Sequence, residues 1–182
     1  MANLMKKVVL AVSAAALTGL GFASVSHAAG AKSDHKMEHQ DWGFQGMRGT
    51  FDRAAMQRGF QVYAQVCAAC HSLEHLSFRH LGDKGGPFFD KNNPNPNDNP
   101  VVKAIAAQWL FETLDTDPDT GDEITRTSIP ADRFPLRFPN EAAARASNGG
   151  ALPPDLSIIT KARNGGADYL YDILMSYKDA PH

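Results

Sequence analysis

Cys67-Ala68-Ala69-Cys70-His71 brings the chain's two cysteines and a histidine into five consecutive positions. Thiols at this spacing near a helix end can each add across one vinyl group of a haem, and the adjacent His71 then comes under the iron as its proximal ligand. The pattern is the attachment sequence for one covalently held haem c. Two other chemistries use paired cysteines. A thioredoxin-like redox pair calls for a βαβ context, which the flanking sequence does not offer. A zinc site would have to recruit His75 or His80, and a histidine directly after the second cysteine is poor zinc-ligand spacing. His75 and His80 read instead as surface or packing residues. If the helix continues through the motif, His75 falls on the same side of the haem as His71 and is poorly placed to reach the opposite face. Covalent attachment retains a haem in a small domain with an exposed edge, which suits an electron carrier.

The elements that must position the motif are mainly helical. Met56, Phe60, Tyr63, Cys67 and Cys70 recur at spacings of four and three, which predicts a helix from about Asp52 into the cysteines. Residues 82–100 form a loop rich in Asn, Pro and Gly. Val102, Ile105, Ala106, Trp109 and Leu110 mark a second helix, entered through Asn99-Pro100. Asn140 caps a short Ala-rich helix ended by Asn148-Gly149-Gly150. Asp155 is read as opening another helix, stopped by Gly165-Gly166, and Asp168 as capping the last, with Leu170, Ile173, Leu174 and Tyr177 on one face. No internal repeat and no useful run of strand-like alternation is visible.

Composition narrows the function. The 182 residues carry 18 Lys and Arg against 20 Asp and Glu, a net charge of −2 that argues against general nucleic-acid binding. Lys6 and Lys7, the apolar run 8–22 and the small residues around Ala28 have the anatomy of an export signal over residues 1–28. A polar arm over 29–41 follows, and then the domain proper, 42–182. Export fits haem attachment outside the cytoplasm.

Beyond the motif, three stretches carry a more specific likeness: WGFQGMRGTFDRAAMQRGFQVYAQVCAACHSL, FRHLG, and DRFPLRFPNEAAARASNGGALPPDLSIITKARNGGADYLYDIL. Between Trp42 and about Leu174 the chain resembles the cytochrome c1 family, haem subunits of the quinol–cytochrome c reductase (cytochrome bc1) complex. The resemblance implies a c-type cytochrome domain, mainly α with long irregular loops, holding haem through Cys67, Cys70 and His71. It implies an electron-transfer subunit with no acid–base residues of its own, beside cytochrome b at the periplasmic face of a bacterial inner membrane. Electrons would come from the Rieske iron–sulfur protein and leave to a cytochrome c. The family's propionate-binding Arg carries over to Arg163 in the KAR segment. In the family, a Met ligand and a C-terminal membrane anchor lie further along than His182, so the resemblance implies a truncated member, soluble in the periplasm as written. The only Met after the motif, Met175, falls inside the last helix pattern. The alternative is a free periplasmic monohaem cytochrome c acting as a diffusible carrier; a haem enzyme or sensor with an open sixth site is a third class.

The acidic stretch Glu112, Asp115, Asp117, Asp119, Asp122 and Glu123 imitates a calcium loop but fails its pattern. Pro118 interrupts it, Gly121 comes late, and Arg126 stands where the closing Glu belongs. It reads as a solvated loop, or as a docking face for a cationic partner.

Overall fold

In the computed structural model the described residues are 37–177. The export signal read at 1–28 and the first part of the arm lie outside them. Asp52 starts helix α1 (Arg53–Gln65) by accepting the amide of Ala54 at 2.9 Å. The apolar spacing runs on into the cysteines, but α1 itself ends at Gln65. Val66 leads into a 3₁₀ turn over Cys67–Ala69, which buries Ala68 and leaves Cys70 at the surface. The amides of Cys70 and His71 both donate to Cys67 O, at 3.1 and 2.8 Å. After His71 the backbone leaves the helical path, so His75 shares no helix face with it.

A second 3₁₀ turn, Phe78–Gly82, places Phe78 at the centre of the core with Val102, Ala106 and Phe134. The Phe78 and Phe134 rings lie 4.2 Å apart between centroids, with Trp109 edge-on to both. Helix α2 (Pro100–Ala107) supplies Val102 and Ala106. It stops before Trp109 and Leu110, which the sequence pattern includes. Its start is fixed by Asn99, fully buried: Oδ1 accepts the amides of Val101 and Val102, while Nδ2 donates to Phe88 O at 2.7 Å. Gly82 permits the close approach of α2, since a Cβ there would meet Val102 Cγ2 at 2.9 Å.

The acidic stretch is not a loop throughout. Strands β1 (Thr113–Thr116) and β2 (Glu123–Arg126) pair antiparallel, Thr113 opposite Arg126 and Thr116 opposite Glu123. The Asp117 carboxylate accepts the amides of Asp119 and Thr120, and Gly121 takes the positive φ that closes the turn. Arg126 then pairs with Asp115 and, through two nitrogens at 2.6 and 2.9 Å, with Asp132. Short strands stabilised by charge pairing give no apolar alternation, which is why the pattern missed them.

Helix α3 (Glu141–Ser147) is capped by Asn140 on Ala143 N and closed by Gly149 and Gly150, both at positive φ. Two of the sequence assignments need correction. Asp155 opens no helix: only α4 (Ile159–Ala162) forms there, because the Asp155 carboxylate is bound elsewhere in the fold. Asp168 does not cap α5 (Ala167–Met175). Gly166 does, and Asp168 in the first turn accepts bonds from His39, Gln40 N and Trp42 Nε1, fastening residues 39–42 to the helix. Met175 is the exposed last residue of α5. No helix among the described residues is long and apolar enough to cross a membrane.

Candidate haem attachment site

The segment after the motif, which turns at residues 74–75, is held from two directions. On one side Phe78 N donates to Asp132 O and Phe134 N to Leu76 O, at 3.1 and 3.0 Å, tying it to the core. On the other side it runs against residues 154–157. Leu156 N donates to Ser72 O at 3.0 Å, Glu74 N to the Asp155 carboxylate at 2.8 Å, and His75 N to Ser157 Oγ at 3.1 Å.

This clamp sets the imidazole. His71 Nδ1 lies 2.8 Å from Pro154 O. A carbonyl oxygen only accepts, so Nδ1 carries the proton, and in the neutral ring Nε2 then presents its lone pair. Fixing a ligand histidine through a carbonyl on its other nitrogen is the usual support for a metal-binding imidazole. Tyr63, reaching from α1, donates its hydroxyl to His71 O at 2.9 Å. Burial first, then the charges of Asp155 and Cys67, pushes that hydroxyl's pKa well above its ordinary value, so it stays a donor.

Cys67 and Cys70 are free thiols, Cys67 partly buried and Cys70 exposed. Cys70 edges a cleft of about 290 Å³ whose walls include Leu136, Phe138, Ala144, Leu152 and Pro153. Glu74, Glu141 and Asp155 also line this cleft, and Cys67 and His71 do not. Two thiols on one turn, apolar side chains beside Cys70 and an imidazole held through Nδ1 fit a covalently held haem. They do not fit zinc. Among the described residues, the metal-type ligands whose donor atoms converge within 4.8 Å are Glu74, His75 and Asp155, a group without either thiol. Both Asp155 oxygens there already accept backbone amides. Nor do they fit a thioredoxin-like pair, since β1 and β2 are the only strands among the described residues and they form a hairpin.

Other site candidates fall elsewhere. Arg163 is the exposed C-cap of α4; among the described residues its side chain donates to Ala162 O, at 3.3 Å, and it does not line the cleft beside Cys70. His80 accepts the Ser77 amide on Nδ1 at 3.0 Å, a local capping role. Sequence reasoning missed Pro154 and Asp155 as supports of the motif, and Arg137, whose Nε donates to Ala69 O at 3.0 Å. The signal for Arg137 was present as a cation amid aromatics and prolines in Phe134-Pro135-Leu136-Arg137-Phe138-Pro139.

A profile of the Cytochrome C1 family matches residues 42–182. Among curated proteins, the chain is 43% identical over 162 residues to cytochrome c1-2, heme protein, mitochondrial, of Solanum tuberosum, covering 89% of this chain and 57% of that protein. It is 39% identical over 171 residues to cytochrome c1 of Rhodospirillum rubrum, covering 93% and 57%. A cytochrome b/c1 of Bradyrhizobium diazoefficiens is 39% identical over 173 residues, covering 93% of this chain and 24% of the relative. The chain thus spans little more than half the length of the two cytochrome c1 relatives and about a quarter of the b/c1 protein.

Proposed function

The chain belongs to the cytochrome c1 family, a family of haem-binding proteins, and from that premise we propose that it carries one haem c on Cys67, Cys70 and His71 and passes electrons from a Rieske iron–sulfur protein to a cytochrome c within a cytochrome bc1 complex. The observation that carries this reading is the His71 imidazole, protonated on Nδ1 by its bond to Pro154 O and open on Nε2, beside two free thiols. When bound, the haem supplies a single iron that exchanges one electron at a time.

The protein's own contribution is to hold and orient. Cys67 and Cys70 would hold the haem covalently, each thiol adding its sulfur to one carbon of a vinyl group and its hydrogen to the other, an addition that needs no oxidant. His71 would offer its Nε2 lone pair to the iron, with the ring held by Pro154 O on Nδ1. Tyr63 and the 154–157 clamp fix the backbone on which His71 sits. Leu136, Phe138 and Leu152 beside Cys70 would give the haem edge apolar contact. Arg163, which makes no ion pair among the described residues, is the proposed partner of a haem propionate. Cytochrome b is the proposed neighbour in the complex; the name of the Bradyrhizobium relative joins b and c1. Residues 1–28 and the bacterial relative support a place at the periplasmic face of the inner membrane.

The test uses the reduced, purified protein mixed with ferric cytochrome c. Rapid oxidation that slows as salt is added is expected, together with co-purification with a b-type cytochrome from native membranes. A holoprotein that ferric cytochrome c does not oxidise would overturn the donor role. Oxidation without any b-type partner would favour the diffusible carrier.

A further inference from the structure

Ala69 is the second residue between the two cysteines, and its carbonyl is left without a backbone donor when the chain departs from the helical path after Cys70. In a continuing helix the amide of Leu73 would fill it; here Leu73 lies outside any helix and opens the turn whose Leu76 amide donates to Leu73 O at 3.0 Å. Arg137 fills it instead, donating Nε to Ala69 O at 3.0 Å. Its guanidinium carbon lies 5.1 Å from the Phe111 ring centroid and 4.8 Å from that of Phe138. Both distances fall within the range of cation–π attraction, and a planar guanidinium stacks on rings in a way an ammonium cannot. Phe138 is the next residue of the same segment, while Phe111 comes from before the hairpin, so the cation is set partly by its own loop and partly by tertiary structure. Arg137 has no carboxylate partner among the described residues. Its neighbours Leu136 and Phe138 wall the cleft edged by Cys70.

We infer that Arg137 is a positioning residue of the attachment loop: it caps the C-x-x-C turn through Ala69 O, fixing the backbone that carries both thiols, and the positive charge it holds on that turn favours the reduced state of a haem attached there. The inference rests on the haem-c reading above. It gives the Phe-Pro-Leu-Arg-Phe-Pro segment a purpose that neither Arg163 nor the His71 clamp supplies.

The experiment compares purified holoprotein of wild type, Arg137→Gln and Arg137→Lys by two readouts. One is the ratio of covalent haem to polypeptide; the other is the midpoint potential from a spectroscopic redox titration at fixed pH and salt. Arg137→Gln should lower both. Arg137→Lys should keep the potential close to wild type, because the charge remains, while the loading ratio falls, because the planar stack and the Nε donor are gone. Should Arg137→Gln fail to accumulate, Phe111→Leu reads the same link, removing one ring and shifting both quantities in the same direction by less. Wild-type values of both quantities in Arg137→Gln, or in Phe111→Leu, would overturn the inference. A wild-type protein without covalent haem would instead overturn the functional reading, and this inference with it.

Discussion

Asp155 is the splint of the clamp that orients His71. One carboxylate oxygen accepts Glu74 N at 2.8 Å, and the other accepts Ser157 N at 2.8 Å. The first bond crosses to the segment after the motif; the second shapes the turn that puts Pro154 O against His71 Nδ1. Amide–carboxylate bonds on a partly exposed group contribute about 1 kcal/mol each. Asp155→Ala should therefore cost about 2 kcal/mol of unfolding free energy, and Asp155→Asn, which keeps one acceptor, about half that. Reversible guanidinium denaturation of the holoprotein, followed by far-ultraviolet circular dichroism, measures this as a lower midpoint at unchanged slope. Hydrogen exchange supplies the local readout: the Glu74 amide should lose protection in Asp155→Ala, while amides of α2 keep theirs relative to global stability. Ser157→Ala removes the acceptor of His75 N and should cost about 1 kcal/mol. Because both residues serve one clamp, the double variant should cost less than the sum. A loss under about 0.5 kcal/mol in Asp155→Ala, the size of an ordinary surface substitution, would refute the reasoning.

Phe78, fully buried against Phe134 and Trp109, should cost about 3–5 kcal/mol when cut to Ala, read from the same denaturation curves. The Asp132 carboxyl is held below its usual range, chiefly by the Arg126 bonds, with burial opposing. A depressed folded pKa gives stability that is full above the unfolded value near ~3.9 and lost as pH falls through the folded one. Asp132→Asn should be less stable at pH 7 and show a shallower loss of midpoint below about pH 4; a variant with the wild-type acid slope would contradict the assignment.

The features legible in the sequence are those whose chemistry is local. The C-x-x-C-H spacing, the Asn99-Pro100 entry to α2, and Asn140 with Gly149 and Gly150 around α3 each act on residues a few positions away. Asp155 was misread because an Asp before an apolar stretch looks like a cap, while its partner is Glu74, far back in the chain. Asp168 was misread for the same reason, its carboxylate being taken up by residues 39–42. The hairpin hid because its strands are held by backbone pairing and the Arg126 pairs and carry little apolar burial. The Pro154 carbonyl left no trace, since a backbone oxygen has no letter of its own. Arg137 needed Phe111 from across the hairpin before its role could be seen.

The central claim is a covalent haem on Cys67 and Cys70. Its most direct test is the intact mass, under acid and denaturant, of the mature protein made in cells that attach c-type haem. The mass expected is that of the polypeptide plus one haem, with the haem lost when both cysteines are replaced by Ala. A bare polypeptide from the wild-type sequence would contradict the account.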